Sequence, residues 1–150
     1  MQPPFLAEGG ARRLRGVGKA AFVKRLEVHP NFSQVRAARR FVRNALAGTP
    51  PEIVDDMQLV VSELVSNAIE HGAREGVGVE LQVTRNDVLL TVESHGHVGR
   101  LPRAEKWAMA PATETSGRGL GIVRNLSDSV QVTREADSVT IAVHRRFALG

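Results

Sequence analysis

Apolar side chains between Pro51 and His71 fall at Val60, Val61, Leu64, Val65, Ala68 and Ile69. That three-and-four spacing is the mark of a helix with one buried face. Thr49, three residues before Glu52, has the pattern of a capping box with Pro51 at the first helical position, and Gly72 is placed to end the helix. An earlier helix, capped by Asn31 or Ser33 and running to about Leu46, turns Val35, Ala38, Val42, Ala45 and Leu46 inward. Its Arg36, Arg39, Arg40 and Arg43 point outward, first as a solvated face and second as part of a partner surface.

Period-two stretches fill the rest. Phe22, Leu26 and Val28 interleave with Lys24, Arg25 and Glu27, which suits a half-exposed edge strand ended by Pro30. Residues 77–85 alternate Val77, Val79, Leu81 and Val83 with polar positions, Val88 to Val92 follow, and Asn86-Asp87 suits a tight hairpin turn between them. A third helix is predicted from Gly119 to Leu126. A closing hairpin, 130–134 and 138–146, folds around Glu135-Ala136-Asp137. The order β-α-α-β-β-loop-α-β-β predicts an α+β two-layer sandwich, a mixed but mostly antiparallel sheet with the helices on one face.

At 150 residues the chain suits a single domain. It has no cysteine, which excludes disulfides, thiol catalysis and cysteine-ligated zinc. No apolar run approaches the roughly 18–20 residues of a membrane span, and no apolar signal segment opens the chain. The expectation is therefore a cytoplasmic protein that does not enter a membrane. The net charge of +4 is unevenly placed: residues 1–40 hold nine of the 20 Lys and Arg but only Glu8 and Glu27 of the 16 acids. Residues 1–20, with Pro3, Pro4, Gly9, Gly10, Gly16 and Gly18, read as a flexible basic extension, a solvated tail before an interaction arm. No Tyr, a single Trp and no helix-turn-helix pattern accompany it, so direct nucleic-acid binding is not expected.

Chemistry concentrates in two stretches. Glu63, Asn67 and Glu70 lie on one side of the long helix, where a carboxylate and a carboxamide one turn apart can hold a hydroxyl or a water beside a hydrated metal ion. A solvated polar face is the plainer reading of that stretch alone. Ser116-Gly117-Arg118-Gly119-Leu120-Gly121 places glycines at alternate positions at the opening of a helix, where bare N–H groups and the helix dipole suit phosphate. A flexible turn with one close packing contact is the plainer alternative. Between the stretches, residues 95–117 carry Gly96, Gly99, Pro102 and Pro111 without periodicity, and a loop of that length inside a domain is usually functional or disordered. Its Trp107 reads as a hydrophobic pin or a nucleotide contact. His95 and His97 have no further ligand cluster and are not read as a zinc site.

In this order the two stretches resemble the N-box and second glycine box of the histidine-kinase-like (GHKL, Bergerat-fold) ATPases, and most closely their anti-sigma factor/serine kinases, over about residues 20–147. The resemblance implies a Bergerat-fold ATPase domain at 21–147 with 95–117 as its ATP lid. It implies ATP and Mg²⁺ as cofactors, Asn67 as the Mg²⁺ ligand, and Glu63 as general base on a partner's serine. His71, Ser94, Gly96, Gly117, Arg118, Gly119, Leu120 and Gly121 would belong to the nucleotide site. The partners implied are a sigma factor, an anti-anti-sigma (STAS-type) phosphoacceptor and a second copy of the chain. Two positions depart from the family: Ser94, and Gly99, to which the second glycine of its first glycine box is displaced. Ser94 stands where its first glycine box has an adenine-binding aspartate, and Glu93, one residue away, should face the other side of the strand. The alternative is therefore a degenerate, non-catalytic interaction module of the same fold, with weak or no ATP binding.

Overall fold

The computed structural model describes residues 22–96 and 118–148. The basic extension, His97, Trp107, Gly117 and most of the expected lid lie outside them. The elements follow the expected order: β1 (Phe22–Val28), α1 (Gln34–Ala45), α2 (Pro51–Glu70), β2 (Gly76–Val83), β3 (Asp87–His95), α3 (Arg118–Asn125), β4 (Ser129–Glu135) and β5 (Ser138–Arg146). The strands form one sheet in the order β1-β2-β3-β5-β4, and all four ladders are antiparallel. β1 is an edge strand, as its interleaved charges predicted. Among the described residues no helix is long and apolar enough to cross a membrane.

The core lies between the sheet and the three helices. Val42, Leu46, Met57, Val60, Val61 and Leu64 from the helical side meet Val79, Leu81, Leu90, Val92, Ile141 and Val143 from the sheet. Each is nearly or fully buried, a contribution of about 1.5–3 kcal/mol for a side chain of this size. The alternation in β2 is real, but burial is not alternate. All eight of its residues are buried, including Glu80 and Gln82 on the face turned away from the helices.

Two expected caps are not made. Thr49 does not cap α2. Its hydroxyl donates to the Leu46 carbonyl at 2.8 Å and so closes α1, while Pro50 stands at the N-cap without a side-chain bond. The run Pro50-Pro51 supplies the entry instead: Pro50 is extended (ψ 139°), and its carbonyl takes the Ile53 N–H at 2.9 Å. Ser33 is the N-cap of α1 but makes no side-chain cap bond. The Asn31 carboxamide oxygen instead accepts the Ser33 N–H at 2.9 Å, turning the chain just before the helix. The β2–β3 hairpin turns at Arg85-Asn86, one residue earlier than expected, because Asp87 already belongs to β3.

Candidate functional site

The C-terminal half of α2 carries the site. Val60, Val61, Leu64 and Val65 press its apolar face into the core, which sets the rotation of the helix and leaves Glu63 and Asn67 half-buried on its flank. Glu70 and His71 sit at the exposed end. Gly72 takes φ +91°, the left-handed region open to glycine, and the end closes by Ala73 N–H to the Ala68 carbonyl (3.0 Å) and Gly72 N–H to that of Ile69 (3.2 Å). The His71 N–H donates to the Asn67 carbonyl at 3.0 Å, and His71 is the exposed C-cap residue of the helix.

α3 arrives beside that flank. Leu120, Gly121 and Val123 are buried and seat it against the core. The first four N–H groups of a helix have no partner within it, and here those are the groups of Arg118, Gly119, Leu120 and Gly121. The Glu63 carboxylate lies directly against Gly119. A Cβ built there would overlap its Oε2 and stand 3.0 Å from its Cδ. The fold thus joins the Glu63 carboxylate to the glycine-rich helix start, which the sequence leaves far apart.

Arg145 fixes the angle between these helices, and sequence reading missed it. Its guanidinium pairs with Asp56 of α2 at 2.8 Å and donates to the Leu126 carbonyl just beyond α3 at 2.7 Å. The available signal was register: Arg145 continues the inward row Val139, Ile141, Val143, where a charged side chain has to meet a partner.

The end of β3 forms the floor. Ser94 continues the row Val88, Leu90, Val92 on the helix-facing side and is buried, between Val77 and Val139 in register. Glu93 faces the other way. Its carboxylate lies 3.7 Å from Arg25 and 3.2 Å from the His95 ring, and accepts from the Thr140 hydroxyl at 3.5 Å. His95 belongs to this opposite-face cluster as well. Gly96 has φ +98°, and a Cβ there would come within 3.0 Å of the Glu75 nitrogen; its own N–H is taken by the Asp137 carbonyl at 2.9 Å. It shapes the turn at the strand end and has no N–H left for a ligand.

A nucleotide with its metal suits this set. Phosphates would match the N–H groups at the start of α3, and Ser94 places a buried hydroxyl at the end of β3. Among the described residues no three His, Cys, Asp or Glu side chains converge. A magnesium ion would then be held by the Asn67 carboxamide and the nucleotide's own phosphates, the usual arrangement for an ion that keeps much of its water.

The family model for the histidine kinase-like ATPase domain matches residues 28–144. The chain is 29% identical over 131 residues to an anti-sigma F factor of Clostridium perfringens, covering 81% of this chain and 94% of that one. It is 31% identical over 119 residues to the anti-sigma F factor of Bacillus velezensis, covering 71% and 82%. Among solved structures, the RsbU and RsbW domains of a Mycobacterium tuberculosis protein superpose with a TM-score of 0.63 at 19% identity, over 84% of this chain and 32% of that one. The SiaB–SiaC complex of Pseudomonas aeruginosa gives 0.59 at 10% identity, over 98% and 99%. At these identities the two structures speak to the fold alone.

Proposed function

The chain belongs to the histidine kinase-like ATPase domain family, and on that premise we propose that it is an ATP-binding anti-sigma regulator that phosphorylates a serine or threonine of a STAS-type anti-anti-sigma partner. The ATPase domain spans 21–147, with 1–20 as a basic extension. One observation carries the reading: the Glu63 carboxylate sits against the helix start where phosphates would bind, with Asn67 one turn further along the same flank. A base belongs there if the acceptor hydroxyl is to approach the terminal phosphate.

Backbone N–H groups of Gly119, Leu120 and Gly121, with those of Gly117 and Arg118 before them, hold the phosphates. Asn67 orients the magnesium ion, which when bound neutralises the charge of the transferring group. Ser94 accepts a hydrogen bond from the adenine amino group. The partner's hydroxyl gives its proton to Glu63 as its oxygen bonds to the terminal phosphorus; the bridging P–O bond breaks, and its electron pair leaves with ADP. Positioning and charge do most of this work.

Sequestration of a sigma factor falls to another surface. Phe32 is 58% exposed beside a groove lined by Arg36, Arg39, Arg40, Arg43 and Gln58. All four arginines are exposed, and together with an apolar anchor they suit an acidic segment of a partner.

A second reading is favoured by Ser94 alone: a non-catalytic interaction module with the same partner surface. Calorimetric titration with ATP and Mg²⁺, followed by transfer of labelled γ-phosphate to candidate STAS-type proteins, separates the two. Micromolar binding and labelled acceptor are expected for the kinase. No binding up to millimolar ATP establishes the module.

A further inference from the structure

The contact between Glu63 and Gly119 asks why residue 119 is glycine. Backbone conformation does not require it, since the positive-φ glycines among the described residues are Gly48, Gly72, Gly76 and Gly96. Residue 119 lies within α3, where alanine is the better helix former. A phosphate cradle does not require it either, because alanine presents the same N–H. What glycine uniquely provides is room. A Cβ on Gly119 would overlap Oε2 of Glu63 and stand 3.0 Å from its Cδ and 3.5 Å from its Cγ.

Neither helix can yield that room by moving. Leu120 and Val123 bury α3, Leu64 and Val65 bury the adjoining turn of α2, and Arg145 ties the two through Asp56 and the Leu126 carbonyl. The Glu63 carboxylate is what must shift if residue 119 gains a side chain. We infer that Gly119 is a positioning residue: the side chain it lacks is the seat of the Glu63 carboxylate, and this places the base at the phosphate end of the site. The inference rests on the kinase reading and adds to it a second role for the glycine-rich segment, that of holding the base. The chemistry is unchanged. Glu63 takes the acceptor's proton while the acceptor oxygen bonds to phosphorus and the bond to ADP breaks.

The test uses the full chain as wild type, Gly119→Ala, Glu63→Ala, Glu63→Asp, and the two double variants that pair Gly119→Ala with each Glu63 change. Gly119→Ala should raise the melting temperature less in the wild-type background than in the Glu63→Ala background, because in the wild type the end of a side chain has to move aside while alanine's helix preference is the same in both. With ATP, Mg²⁺ and the STAS-type acceptor, Gly119→Ala should lower kcat by about tenfold or more, part of the roughly 10²–10⁴ that a general base supplies. Its ATP affinity should stay within about threefold, since a misplaced base does not touch the N–H cradle. Glu63→Asp draws the carboxylate back by one methylene, so adding Gly119→Ala to it should cost much less in kcat than adding it to wild type. An equal melting shift with and without the Glu63 carboxylate overturns the inference, as does an unchanged kcat in Gly119→Ala. A wild-type chain that transfers no phosphate overturns the kinase reading and this inference with it. A chain that transfers phosphate yet shows no difference between the two backgrounds overturns the inference alone.

Discussion

Two glutamates on opposite faces of one fold make an instructive contrast. Glu93 sits on the helix-free face of the sheet among Arg25, His95 and Thr140, and its oxygens are engaged by all three. Glu63 is half-buried on the helical side, with its carboxylate against Gly119. On the proposed kinase reading Glu63 would take the substrate's proton, whereas Glu93, engaged by Arg25, His95 and Thr140, is a brace. The faces differ in the same way. The helical side is dry, with Ser94 and Arg145 as particular polar exceptions. The other side carries the buried Asp87–His144 pair at 2.7 Å and the Arg25 cluster.

The contrast breaks most readily at Glu63. Glu63→Ala should reduce phosphoryl transfer by about 10²–10⁴-fold while ATP affinity stays within a few-fold. Retained transfer, measured with labelled ATP, would strip Glu63 of its role. Glu93→Gln in the same assay should change transfer by less than about twofold, since it faces away and its partners are structural.

Arg145→Ala removes the brace between α2 and α3. It leaves Asp56 and the Leu126 carbonyl without their cation, and stability in urea should fall by about 1–3 kcal/mol. Transfer should fall with it, because the seat of Glu63 depends on the angle between the helices. An unchanged midpoint would show that the apolar contacts of Leu120 and Val123 hold α3 without help.

Ser94→Asp should raise ATP affinity by about ten- to a hundredfold, the value of one charge-assisted contact of about 1–3 kcal/mol. The same affinity in both forms, read by calorimetry, would mean that adenine is held elsewhere. The smallest effect is expected on the far face. A Cβ at Gly78 would lie 2.6 Å from the Arg25 guanidinium, the movable end of a long side chain. Gly78→Ala should therefore displace Arg25 from Glu93 and change stability by less than about 1 kcal/mol, as for other partly exposed pairs. A larger loss would mean that the Arg25 cluster anchors β1 more strongly than its exposure suggests.

Much of this molecule is legible in its sequence, for a physical reason. Periodicity records which side of an element is dry. α2, the edge character of β1 and the closing hairpin could therefore be read from spacing, and so could the opposed directions of Glu93 and Ser94. The helix stop at Gly72 followed from the one residue type that adopts its backbone angle freely. Cap chemistry was read less well. Thr49-x-x-Glu52 has the letters of a capping box, yet a hydroxyl within reach of two helix ends bonds to the one that the chain geometry brings closer, here the Leu46 carbonyl.

The sequence by itself thus determined the order of elements, the dry faces, and the two stretches that carry the chemistry. The tertiary structure alone decided that Glu63 meets Gly119, that Arg145 bridges Asp56 to the end of α3, and that Glu80 and Gln82 are buried on the face without helices. Local spacing fixes each side chain only relative to its own helix or strand. Contacts between elements follow from strand order and helix docking, which the whole core sets together.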